Sequence, residues 1–227
     1  MGIEGTLPYE NFTFLYPPRP ESAILPSLIP SYEDRGWVGN YKLNGTCSLI
    51  GVGPDGAIHN LTRHNTKHKM WKPSDRTKVL ARSCPRDFWT LFVAELLNDK
   101  TPNIKDTLYI FDILVWESKQ LIGTTYQERT TFLQNLLIPA KPRQGRAHPW
   151  WAKRSHTVIA PGIWLANVIT SGLSETFEWI KESEDRAIEG IVLKNPAGKL
   201  GMMFKEHTNT TWQVKSRIAL PHSHIGF

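Results

Sequence analysis

From Trp37 to Thr62 the chain reads as short β-like runs of apolar and polar residues, Trp37–Leu43, Thr46–Val52 and Ala57–Thr62. Asn44-Gly45 and Pro54-Asp55-Gly56 punctuate these runs as hairpin turns, so the three predict an antiparallel meander. Two apolar runs follow, Phe88–Leu97 and Leu108–Val115, joined by a polar loop through Asp99–Asp106. Thr125–Leu137 has helical spacing, with Phe132, Leu133, Leu136 and Leu137 on one side. Ser174–Ser183 predicts a second helix, opened by the capping-box-like Ser174-Glu175-Thr176-Phe177. Ile188–Lys194, Met202–Glu206 and Thr211–Arg217 predict closing strands. Residues 1–35 are proline-rich and predict an arm with one short helix, leaving 36–227 as a single domain. The expected class is α+β, antiparallel β-sheets flanked by helices, with no internal repeat.

Composition narrows the function classes. Of 227 residues, 40% are hydrophobic, enough for a sizeable core, so disorder does not describe the whole. Lys and Arg number 27 against 21 Asp and Glu, a net +6 that suits an anionic partner such as nucleic acid. Cys47 and Cys84 cannot build a disulfide framework or a four-cysteine zinc site, so a reducing, cytoplasmic compartment is expected. No apolar run approaches the ~20 residues of a membrane span, and the N-terminus lacks a secretory pattern. Gly51-Val-Gly53-Pro-Asp-Gly56 fits a dinucleotide fingerprint, but a strand follows where a helix is required, so a hairpin turn explains the glycines. His64 and His68 sit in a strongly basic segment without carboxylates, which favours a solvated or phosphate-facing loop over a metal site.

Lys42-Leu-Asn44-Gly45 places a lysine at a strand end between Tyr41 and Leu43. Partial desolvation there favours the neutral amine, a nucleophile, and Gly45 lets backbone or substrate approach closely. Further on come Phe92-Val-Ala-Glu95-Leu-Leu and Tyr109-Ile-Phe111-Asp112-Ile-Leu, then Glu189-Gly190-Ile-Val-Leu-Lys194 and Trp212-Gln-Val-Lys215-Ser-Arg217. In order and spacing the series resembles the motifs K-x-D-G, D-G-E-L, F-D-I-L, E-G-(I/L/V)-V-x-K and K-x-K. Those belong to the covalent nucleotidyltransferases, specifically the ATP-dependent polynucleotide ligases.

The resemblance implies the adenylation-domain fold of DNA ligases and mRNA capping enzymes. It implies that Lys42 attacks the α-phosphate of ATP to give lysyl-AMP, and that AMP then passes to a polynucleotide 5′-phosphate before a 3′-hydroxyl seals the strand. Phe111 would stack on adenine, unless it is plain core. Glu95 and Arg63 would hold the ribose and phosphate, and Glu189 would hold Mg²⁺ or Mn²⁺. Lys194, Lys215 and Arg217 would neutralise the α-phosphate, although Lys194 also reads as a strand-end surface lysine. Asp112 would support the Phe111 strand. The implied partner is nicked duplex nucleic acid, with DNA preferred to RNA, and a monomer is expected. An RNA ligase, a GTP-using capping enzyme and a nucleic-acid-binding module without catalysis are the rivals.

Several positions depart from the motifs. Asn44 replaces an Asp, Cys47 stands where DNA ligases usually carry Arg, Val93-Ala94 replace Asp-Gly, and Arg217 replaces a second Lys. Ten residues follow Arg217, so the OB-fold domain of most DNA ligases is not expected. Lys141–Arg154 is basic and carries two adjacent tryptophans. Arg143, Arg146, Lys153 and Arg154 could follow phosphates while Trp150 or Trp151 stacks on bases, or the segment is a basic hairpin with buried indoles.

Overall fold

The computed structural model describes residues 15–68, 77–101, 103–138, 152–183, 185, 187–202 and 209–218, apart from the side chains of residues 152 and 153. In chain order the elements are β1 (Arg19–Ala23), α1 (Ile29–Glu33), β2 (Val38–Leu43), β3 (Thr46–Val52), β4 (Ile58–Thr62), α2 (Lys78–Ser83), β5 (Thr90–Leu97) and β6 (Thr107–Trp116). They continue with β7 (Lys119–Gln120), α3 (Tyr126–Leu137), α4 (Ala152–Ser155), β8 (His156–Ala160), β9 (Ile163–Ala166), α5 (Leu173–Ser183), β10 (Ile188–Lys194) and β11 (Asn209–Arg217). The strand expected over Met202–Glu206 falls, Met202 apart, outside the described residues. No helix among the described residues is long and apolar enough to cross a membrane.

Two sheets share these strands. A four-stranded sheet has the order β1-β11-β10-β2, and a seven-stranded sheet has the order β4-β3-β5-β6-β9-β8 with β7 on β6. Neighbours run antiparallel except β1–β11 and β6–β9, which are parallel. The apolar face of the smaller sheet (Tyr41, Leu43, Ile191, Leu193, Val214) packs on Leu173, Phe177 and Ile180 of α5. The larger sheet buries Leu49, Phe92, Ile110 and Leu114 with Leu80 of α2 and Leu133 and Leu137 of α3.

The expected three-strand meander is corrected. β3 and β4 do form a hairpin, closed at Gly53 N–H to Ala57 C=O (2.9 Å) with Gly56 at φ 76°. β2, however, pairs with β10 in the other sheet. The favoured Asn-Gly hairpin turn needs positive φ at both residues, and neither Asn44 nor Gly45 has it. Gly45 serves close approach instead, because a Cβ there would lie 2.6 Å from the Leu96 carbonyl oxygen.

Helix starts divide in the same way. Thr125 and Glu128 form a capping box on α3: the Thr125 hydroxyl accepts from the Glu128 amide, and the Glu128 carboxylate accepts from the Thr125 amide (2.7 Å). At α5 the expected cap from Ser174 is not used, since Ser174 lies inside the helix. The Glu33 carboxylate of α1 accepts from the Gly172 and Leu173 amides instead.

Candidate active site

Side chains alternate across a strand, so residues two apart share a face. On β2 that rule sends Asn40 and Lys42 away from α5; on β10 it sends Val192 and Lys194, and on β11 Gln213, Lys215 and Arg217. These residues, with Glu189, wall one side of a cavity of about 530 Å³. The larger sheet supplies the facing side, with Arg63 after β4, Cys47 on β3, Glu95 on β5, and Tyr109 and Phe111 on β6. All eight residues singled out for nucleotide chemistry, Lys42, Arg63, Glu95, Phe111, Glu189, Lys194, Lys215 and Arg217, therefore meet in one place.

Glu189 reaches the cavity through an irregularity. The β2–β10 register shifts between Ile188 and Gly190, which re-aims the residue between them. Gly190 takes φ 140°, and a Cβ there would collide with the Ser216 carbonyl oxygen, so only glycine fits beside Glu189. The Glu189 carboxylate touches the Lys42 ammonium and lies 3.6 Å from Nε of Arg217, whose side chain is half exposed. Burial, then the cations Arg217, Lys42, Arg19 and Arg63, hold the Lys215 ammonium below its ordinary range.

Opposite stands Glu95, directly across the strand pair from Cys47. Burial pushes its carboxyl up to about 7; Lys42 and Lys100 pull it down, while Glu189 adds to the rise. Burial also pushes the Cys47 thiol up to about 12, which keeps it neutral.

Lys194 is no surface lysine. It is 2% exposed, with its ammonium 4.3 Å from the Tyr126 ring centre and 5.1 Å from that of Phe111. Burial lowers it to about 8, with Asp112 opposing that fall and Arg129 adding to it. Beneath, Arg129 donates to both Asp112 carboxylate oxygens (2.8 and 3.1 Å) and to the Thr124 carbonyl (2.7 Å). The Tyr126 hydroxyl donates to Asn40 Oδ1 (2.7 Å). Sequence reasoning placed no function on Arg129, although an arginine on the apolar side of a helix was the available signal.

Arg154 is exposed, with its guanidinium 5.4 Å from the Trp179 ring centre, and does not line the cavity. Arg143, Arg146, Trp150 and Trp151 lie outside the described residues, as does the Lys153 side chain. Ser48 Oγ lies 2.8 Å from His68 Nε2. The described residues hold no group of three His, Cys, Asp or Glu suited to a metal.

The family profile described as ATP dependent DNA ligase domain matches residues 63–217. The chain belongs to that family. The match takes in Arg63, Glu95, Phe111, Glu189, Lys194, Lys215 and Arg217, and Lys42 lies ahead of it. No curated protein matches by sequence. Among solved structures this ligase domain is similar to mycobacterial DNA ligase D complexed with ATP and MES (TM-score 0.60, 15% identity, 91% of this chain and 61% of that one). It is also similar to the ATP-dependent DNA ligase from bacteriophage T7 in complex with ATP (TM-score 0.54, 14% identity, 91% of this chain and 69% of that one). At such identities the likeness is one of fold, the nucleotidyltransferase fold of ATP-dependent ligases. The domain spans about three fifths of the mycobacterial chain.

Proposed function

We propose that the chain is an ATP-dependent polynucleotide ligase, which seals 5′-phosphate/3′-hydroxyl breaks through a lysyl-AMP intermediate, with nicked duplex DNA as its substrate. The observation that carries this is the convergence of seven motif residues and Arg63 on one cavity, with the Lys42 amine at its polar wall. The DNA preference rests on the family whose profile the chain fits. Lys42 Nζ gives up a proton to solvent and the neutral amine attacks the α-phosphorus of ATP; an N–P bond forms, the bond to the bridging oxygen breaks, pyrophosphate leaves and a second amine proton goes to solvent. Lys194, Lys215 and Arg217 offset the charge that gathers on the α-phosphate oxygens. An oxygen of the polynucleotide 5′-phosphate then attacks the same phosphorus, the N–P bond breaks, and Lys42 takes up a proton from solvent as it leaves as the amine. The 3′-hydroxyl oxygen next attacks the 5′-phosphorus, its proton goes to solvent and AMP leaves.

Magnesium is commonly held by one or two carboxylates plus substrate phosphates, so the lack of a three-ligand cluster among the described residues does not count against it. Glu189, beside the phosphate-facing cations, fits that mode and would hold the ion. When bound, the ion would neutralise phosphate charge. The Lys141–Arg154 segment, with Arg143, Arg146, Lys153 and Arg154, is the proposed grip on the nucleic acid.

Incubation with α-labelled ATP and Mg²⁺ is expected to label the chain covalently; nucleic-acid binding without label would favour a non-catalytic module. Sealing of DNA–DNA, RNA–DNA and RNA–RNA nicks then ranks the substrates, and fastest sealing of RNA–RNA nicks would overturn the DNA preference. Two further outcomes are expected. Phe111→Ala should weaken ATP binding by about 1–3 kcal/mol if the ring stacks on adenine; unchanged affinity in a folded variant would leave the ring as core. The second concerns pH. Ionised Glu95 accepts from ribose hydroxyls more strongly than its neutral form, and Lys194 must be protonated to meet phosphate. The rate of lysyl-AMP formation at low ATP should therefore rise through about pH 7 and fall through about pH 8. Glu95→Gln should lose the acid limb alone, and a profile still rising through that pH would assign the limb elsewhere.

A further inference from the structure

Leu15 is fully buried in the core of the larger sheet, while β1, four residues on, pairs with β11 at the edge of the smaller one. The segment between them bridges the sheets, and Pro17, Pro18, Arg19 and Pro20 form part of the cavity wall. Three prolines in four positions fix their own φ angles, and an edge strand tolerates the missing amide of Pro20. The Thr210 hydroxyl donates to the Arg19 carbonyl (2.8 Å), fixing the backbone from which the guanidinium projects. None of the five motifs reaches this strap.

Across the smaller sheet, β2 carries Lys42, β10 carries Glu189 and Lys194, β11 carries Lys215, and β1 carries Arg19. β1 thus lies beyond β11 from the nucleophile's strand, with Arg19 paired to Asn209 and lining the cavity. Displacement at phosphorus is in line, so a leaving group departs from the face opposite the attacking atom. A leaving group on the face opposite Lys42 departs away from β2, and within the smaller sheet β1 is the strand farthest from β2. The charge balance agrees, since seven lysines and arginines line the cavity against two glutamates. Arg19 lines the same cavity as Lys215 and Cys47. The neutral Cys47 leaves that position of the larger sheet without a cation, and a guanidinium offers phosphate a planar fork of donors.

Building on the ligase reading above, we infer that Arg19 binds the β- and γ-phosphates of ATP, and so the departing pyrophosphate, in the first chemical step. It is a nucleotide-specificity residue, separating triphosphate from monophosphate, delivered by the N-terminal strap and not by a motif.

The test compares wild type, Arg19→Ala and Arg19→Lys in single-turnover lysyl-AMP formation against ATP concentration, in discharge of lysyl-AMP by pyrophosphate, and in binding of AMP. Loss of a charge-assisted contact predicts that Arg19→Ala needs about 10- to 100-fold more ATP and more pyrophosphate. AMP affinity should stay within about twofold, a factor well below one such contact. Arg19→Lys should recover part of the loss, which a merely misfolded strap would not allow. Wild-type dependence on ATP and pyrophosphate in Arg19→Ala overturns the inference. So does equal weakening of AMP and ATP, or a defect confined to sealing a pre-adenylylated nick. If wild type forms no lysyl-AMP the ligase reading falls and takes this inference with it; labelling of wild type with an indifferent Arg19→Ala removes only the role of Arg19.

Discussion

Lys42→Ala is expected to abolish covalent labelling by α-labelled ATP and sealing from ATP, while sealing of a pre-adenylylated strand persists. The phosphoramidate needs an amine at the α-phosphorus, and the neighbouring lysines cannot stand in. Lys194 and Lys215 serve there as ammonium ions paired with phosphate oxygens, and Lys215 lies two strands from β2. Lys42→Arg should be equally inactive, because a guanidinium keeps the charge without offering a neutral amine at working pH. Removing Lys42 also takes away the first influence that holds the Glu95 carboxyl down, so the acid limb of nucleotide binding should move above about pH 7. Normal labelling of a folded Lys42→Ala chain would place the nucleophile elsewhere.

What was legible in the sequence follows the range of the forces involved. Ile188–Lys194 and Thr46–Val52 match their strands end for end, since period and punctuation are local properties. Seven of the eight candidate residues were legible because order and spacing of short motifs survive where each motif alone says little. Illegible were features set by distant partners. β1 looks like a proline-rich arm, and its strand character comes from pairing with β11, about 190 residues on in sequence. The β2–β3 link reads as a hairpin turn because Asn-Gly signals either positive φ or close approach, and only the neighbouring Leu96 carbonyl decides between them. The cap of α5 comes from Glu33, far from the helix in sequence. Lys194 looks like a surface strand end until Tyr126 and Phe111 cover it.

Truncating either partner of the Asp112–Arg129 pair gives the largest expected loss of stability. Both residues are almost wholly buried, Asp112 at 2% and Arg129 at 1% exposure. Either substitution leaves the other charge enclosed without its counter-ion, a cost of about 3–5 kcal/mol. For a domain of this length that lowers Tm by roughly 6–20 °C. Replacing both together, as Asp112→Leu with Arg129→Met, removes the stranded charge and should recover much of the loss. Recovery stays incomplete because the Thr124 carbonyl and the Ile113 amide lose partners at 2.7 and 2.9 Å. The restored fold should still be a poor enzyme above neutrality. Asp112 raises the Lys194 ammonium more than Arg129 lowers it, so without the pair Lys194 loses its proton below the wild-type value of about 8. Lysyl-AMP formation in the double variant should then fall away at lower pH than in wild type, even where calorimetry shows it folded. A double variant with the stability recovered and the alkaline limb unmoved would confine the pair to holding α3 on β6, with no influence on the phosphate-binding lysine above it.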